Sequence, residues 1–115
     1  MNTKITFHNM PSSDPLETHA REKIKKCSEL LKDQADRTPF FIEIWLKANK
    51  QHPHHAAEIH LKTGSMNLHA HNEGPDMYVV IDTAIDKMVS LIKKEKALLL
   101  DRSHKPDTEK KRFSR

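Results

Sequence analysis

Glu73-Gly74-Pro75-Asp76-Met77-Tyr78-Val79-Val80-Ile81-Asp82, running on to Lys87, Lys94 and Lys96, is the stretch from which the rest of the chain can be read. Asp76 stands where a side-chain oxygen can cap the first orphan amides of a helix. From there Met77, Val80, Ile81, Ala84, Ile85, Met88 and Ile92 recur every three or four residues, the spacing of one buried helical face. At about 100 degrees per residue, Thr83, Lys87, Ser90 and Lys94 gather on one border of that face. The result is an amphipathic helix edged with lysine, which suits a polyanionic partner.

Working backwards, Phe40 to Ala48 alternates, with Ile42, Ile44 and Leu46 on one side and Phe41, Glu43, Trp45 and Lys47 on the other. Ala56 to Lys62 alternates too, Ala57, Ile59 and Leu61 against Glu58, His60 and Lys62. Period two with one apolar face means half-buried strands. Gly64-Ser65 then reads as a two-residue type II′ turn, which pairs Lys62 with Asn67, Leu61 with Leu68, and His60 with His69. Apolar meets apolar in that register.

Near the start, Lys4 to His8 forms a short strand with Ile5 and Phe7 inward. Asp14-Pro15-Leu16-Glu17 has the form of a helix start, with Asp14 as N-cap, proline at the first helical position and Glu17 as capping-box partner. A first helix to about Asp33 follows. Its apolar residues Leu16, Ala20, Ile24, Cys27 and Leu31 span an arc of about 80 degrees, bordered by His19, Lys23 and Lys26. The design repeats that of the second helix.

Strand, helix, three strands, helix implies a parallel pair across the first helix and an antiparallel meander after it. Each strand has one apolar face, so both helices cover the same side of a four-stranded sheet. The expected fold is α+β, two-layered, β-α-β-β-β-α, occupying residues 1–100. Residues 101–115 carry six basic and three acidic side chains, so most of the formal +4 charge sits in this basic tail, which is expected to be flexible. Residues 1–100 are left at +1, so attraction to phosphates must rest on the placement of charge on particular faces.

Several function classes find no support. No apolar run approaches the roughly 20 residues of a membrane span and no signal-peptide stretch opens the chain, so a cytoplasmic protein is expected. With one cysteine, Cys27, on a core-facing position, no intrachain disulfide can form and a packed thiol is the expected role. With Gly64 and Gly74 as the two glycines there is no glycine-rich phosphate loop, and no nucleophile elbow is present. Ser12, Ser13 and Asp14 near His8 are turn and cap residues rather than a hydrolase site. No enzyme and no cofactor are called for.

Histidine is the anomaly, at nine residues, with His52, His54, His55, His60, His69 and His71 falling close together. The hairpin register sets Glu58, His60, His69 and His71 on one open sheet face, where zinc or copper binding is geometrically allowed. Their spacing matches neither an HExxH helix nor a Cys/His finger. The preferred reading is a polar strand face that gains positive charge as pH falls. Trp45 and Phe41 on the same face could stack on bases, though cross-strand packing is the simpler role.

Glu73-Gly74, then Asp76-Met77-Tyr78-Val79-Val80-Ile81-Asp82, then Asp86-Lys87-Met88 resembles the second-helix signature of the ribosome hibernation-promoting factors, also called sigma-54 modulation proteins or ribosome-associated inhibitor A. The resemblance covers roughly residues 3 to 100. It implies a fold similar to double-stranded RNA-binding domains and a non-enzymatic protein. Such a protein binds the small ribosomal subunit and its 16S ribosomal RNA over the messenger RNA channel and the A and P tRNA sites, silencing ribosomes in stationary phase or stress. Lys23 and Lys26 match basic positions on the family's first helix, and Lys87 and Lys94 match basic positions on its second. Lys93 and Lys96, near the helix end where positive charge suits the dipole, are additional expected contacts. Asp76 and Tyr78 also match family residues. Ser90 stands where the family commonly has arginine, Leu91 where it often has glutamine, and His8-Asn9-Met10 where a glycine often follows the first strand. The length resembles the short form of the family, without the C-terminal domain that pairs ribosomes. A general double-stranded RNA-binding module and a histidine-based metal protein are the alternatives.

Overall fold

The computed structural model describes residues 2–32, 41–49 and 54–104, the last four by their backbone course alone. The elements are β1 (Asn2–His8), α1 (Asp14–Leu30), β2 (Phe41–Lys47), β3 (His55–Lys62), β4 (Asn67–Gly74) and α2 (Met77–His104). One four-stranded sheet runs in the order β1-β2-β3-β4, with β1 and β2 parallel and the other pairs antiparallel. The expected two-layer β-α-β-β-β-α order is what forms. The connector 34–39, His52 and the chain beyond His104 lie outside the described residues.

The alternation of the strands decides which face is buried. Ile42, Ile44 and Leu46 of β2 and Ala57, Ile59 and Leu61 of β3 are fully enclosed, and Ala70 of β4 is buried with them. Against this face pack Leu16, Ala20, Ile24, Cys27 and Leu31 from the first helix and its C-cap, and Met77, Val80, Ile81, Ala84, Ile85, Met88 and Ile92 from α2. Ile5 and Phe7, on the edge strand β1, are partly buried against the same cluster. α2 lies on β3 and β4, with α1 beside it. Helical backbone continues to His104, past Asp101 where composition sets the start of the tail.

Two local expectations are corrected. The cap of α1 is Ser13, not Asp14: Ser13 is extended (φ −132°, ψ 113°), its Oγ accepts from Leu16 N at 3.4 Å, and its carbonyl accepts from Glu17 N at 2.9 Å. With the cap one residue earlier, Glu17 is displaced from the capping-box position and bonds Arg21 at 3.0 Å instead. The β3–β4 turn keeps the expected register, yet Gly64 has no positive φ, so it is not a type II′ turn. Thr63 builds it: its Oγ1 accepts from Ser65 N at 3.1 Å and Met66 N at 2.9 Å, while Thr63 N donates to the Met66 carbonyl at 2.9 Å. A hydroxyl does here what glycine geometry would otherwise do. After β1, where the resemblance lacks its glycine, Asn9 takes the left-handed conformation (φ 59°), which asparagine tolerates better than most residues.

Candidate nucleic-acid interface

Three residues of the second-helix signature, Tyr78, Asp82 and Asp86, lie along the seam between α1 and α2. Asp76 caps α2, its Oδ1 accepting from Tyr78 N at 3.0 Å and its carbonyl from Val80 N at 2.9 Å. Tyr78 meets the edge of the His19 ring, with centroids 4.9 Å apart and planes at 85°. One turn on, Asp82 Oδ1 lies 2.7 Å from His19 Nε2 and 4.0 Å from Lys23 Nζ. A further turn brings Asp86 Oδ1 to 3.7 Å from Lys26 Nζ. The cationic border of α1 is thus laid against an acidic row on α2. Such part-exposed pairs stabilise by about 1 kcal/mol or less each, so they organise charge more than they hold the helices together.

The lysine border of α2 points the other way. At about 100 degrees per residue, Lys87 lies some 140 degrees around the helix from Asp82, on the flank over the sheet edge. There Lys87 Nζ donates to the His71 carbonyl at 2.9 Å and Asn72 Oδ1 at 3.2 Å. Lys94, Ser90 and Leu91 continue that flank, and with Lys87 and the His69–His71 segment of β4 they line an open groove of about 430 Å³. No carboxylate lines it, so its rim is cationic. Lys87 also covers part of the otherwise unpaired edge of β4, where a bare strand would invite pairing with another chain.

The six lysines expected to contact RNA therefore occupy four different settings. Lys23 and Lys26 lie on the seam facing Asp82 and Asp86; Lys87 and Lys94 lie on the β4 side of α2; Lys93 is exposed on the same helix. Lys96 turns inward and donates to the Leu30 carbonyl at 2.6 Å, satisfying the C-terminal end of α1. The two lysine borders do not merge into one strip, because the acids of α2 lie between them. Sequence reasoning missed Asp82 and Asp86 as partners. The signal was present in the matching spacing of His19, Lys23 and Lys26 with Tyr78, Asp82 and Asp86.

The remaining candidates are placed as follows. β3–β4 pairing sets His60 opposite His69 and Glu58 opposite His71. The first pair stack at 4.2 Å with planes at 28°, and His60 Nε2 lies 2.7 Å from Asn67 Oδ1. His71 Nε2 instead lies 2.7 Å from Glu73 Oε2, and its Nδ1 3.6 Å from Glu58 Oε2. Among the described residues no group of three or more His, Cys, Asp or Glu is disposed to hold a metal ion. Hydrogen bonds from His54 and His71 pull the Glu73 carboxyl below the usual glutamate range. Burial pushes the Cys27 thiol up to about 12, so the nucleophilic thiolate is scarce at neutral pH. No helix of the described residues is long and apolar enough to cross a membrane.

A family model described as sigma 54 modulation protein / S30EA ribosomal protein matches residues 3–99. Among solved structures, the N-terminal domain of Protein Y from Thermus thermophilus is 21% identical with a TM-score of 0.65, the likeness covering 82% of this chain and 98% of that one. A ribosomal subunit interface protein from Coxiella burnetii is 22% identical with a TM-score of 0.69, covering 84% of this chain and 99% of that one. At such identities these two likenesses speak for the fold. No curated protein matches the chain.

Proposed function

The chain belongs to the sigma 54 modulation protein / S30EA ribosomal protein family, and from that premise we propose that it is a ribosome hibernation factor. It acts in the cytoplasm, without catalysis, by binding the small ribosomal subunit at the messenger RNA channel and the A and P tRNA sites. Occupancy there excludes both substrates of translation, which suits stationary phase or stress. The observation that carries the reading is the family match from residue 3 to residue 99, which runs through both helices and all four strands.

The charge layout supports a contact with the phosphates of 16S ribosomal RNA. Lysines on packed helices meet phosphates without having to read base sequence, and counterion release supplies a salt-dependent affinity. Lys87, Lys93 and Lys94 serve on the β4 side and outer surface of α2. Lys23 and Lys26 serve on the seam, where a phosphate must compete with Asp82 and Asp86 for them. Lys96 contributes least to RNA, because its ammonium is engaged with the Leu30 carbonyl.

Adding the purified protein to a reconstituted translation system tests this reading. Inhibition that is relieved by excess small subunits is expected, with affinity falling steeply as salt rises. Undiminished translation at saturating protein, or equally tight binding to naked RNA duplexes, would favour the general double-stranded RNA module instead.

A further inference from the structure

The sheet face opposite the helices holds the histidines that the helix flanks leave unexplained. Strand register aligns Lys4, Glu43, His60 and His69 in one row across the four strands, with Thr6, Trp45, Glu58 and His71 in the next. The carboxylates here already have partners, lysines or imidazoles. Glu43 lies 3.8 Å from Lys4, Glu58 3.5 Å from Lys47, and Glu73 2.8 Å from His54 and 2.7 Å from His71. His60, His69 and Lys62 have no carboxylate partner among the described residues, and His60 and His69 are stacked on each other. Beside Lys62 in the register, Phe41 is 56% exposed, so it is not consumed by cross-strand packing. Trp45 is half-buried one row from His60.

We propose that this open sheet face is a second RNA-contact surface, which stacks the unpaired bases of a single strand on Trp45, Phe41 and the His60–His69 pair and is strengthened by histidine protonation. Flat side chains on neighbouring strands suit bases of any identity, since every base offers a π-face. Charge selects the same occupant. The lysines and carboxylates of the face balance at neutral pH, so each proton taken up by an imidazole leaves a net positive charge for a phosphate. The charged groups around the stacked pair are Lys4 on β1, Glu43 on β2, Glu58 and Lys62 on β3, and His71 on β4; both helices lie on the other side of the sheet.

Trp45 is the single tryptophan, so intrinsic fluorescence reports this face directly. A short uridine oligonucleotide, whose bases do not titrate in this range, is added to the whole protein at about pH 6 and about pH 8. Quenching is expected at the lower pH, with affinity weaker by roughly tenfold at the higher, the change due to one or two phosphate contacts. His60→Gln with His69→Gln should remove that pH difference. Absence of quenching at both pH values, or a pH difference that survives the histidine substitutions, overturns the inference. Ribosome pelleting scored in parallel separates the two surfaces: quenching without pelleting sinks the hibernation reading alone, and pelleting without quenching sinks this one alone.

Discussion

His19 on α1 and Asp82 on α2 are 2.7 Å apart at Nε2 and Oδ1, and this contact marks which border of each helix its buried face turns toward the other. The cations of α1 meet acids there, and Lys87 and Lys94 of α2 lie on the far flank. Asp82→Asn should lower stability by about 1 kcal/mol or less, since both side chains keep some access to water. Thermal denaturation of the Asp82→Asn, His19→Ala and combined variants would show the coupling. Additive losses would mean that the pair contributes nothing.

Lys96 and Lys94 are two residues apart and should behave oppositely. Lys96→Ala removes the donor to the Leu30 carbonyl, so a loss of about 0.5–1.5 kcal/mol is expected with little change in RNA affinity. Lys94→Ala should leave the melting temperature in place and weaken RNA binding. Melting curves and salt-dependent binding on the two variants check this contrast, and an exchange of the two phenotypes would reverse the assignment.

At the β3–β4 turn the hydroxyl matters and the glycine does not. Thr63→Val leaves the Met66 amide without its acceptor in a buried position, a loss of about 1–3 kcal/mol. Gly64→Ala should be neutral or stabilise by up to about 1 kcal/mol, because Gly64 has no positive φ and no neighbour crowds an added Cβ. Urea denaturation of both variants decides, and a destabilised Gly64→Ala would restore the glycine-dependent turn.

Glu73 should titrate below an ordinary glutamate, owing to its hydrogen bonds from His54 and His71. Because its folded pKa is the lower one, its stabilising effect is complete above the unfolded glutamate range and disappears as pH falls through the folded value. Carboxyl NMR titration of wild type and of His54→Gln with His71→Gln would show the value rising toward normal in the variant. An unmoved titration would mean that these imidazoles do not hold the carboxylate.

Much of the fold was legible because it depends on local periodicity. Ile42, Ile44 and Leu46 alternate, Val80, Ile81, Ala84 and Ile85 follow the helical spacing, and the His60–His69 register followed once the turn was located. The candidate site was legible only in part. The lysine borders could be assigned to each helix alone, but whether Lys23 faced solvent or Asp82 depends on how one helix lies against another, which no single periodicity encodes. Lys96 was misleading for the same reason, since its partner is the Leu30 carbonyl on the other helix. Ser13 and Thr63 were overlooked because a neighbouring Asp14 and Gly64 carried the stronger local signal.

Sedimentation with purified small ribosomal subunits tests the central claim most directly, with wild type compared against Lys23→Glu with Lys26→Glu and against Lys87→Glu with Lys94→Glu. Wild type should pellet at moderate salt. The α2 pair should lose binding by a hundredfold or more, roughly what reversing two phosphate contacts removes, and the α1 pair should lose less because those lysines are already shared with Asp82 and Asp86. A wild-type protein left in the supernatant, or an α2 double variant that pellets as well as wild type, would contradict the account.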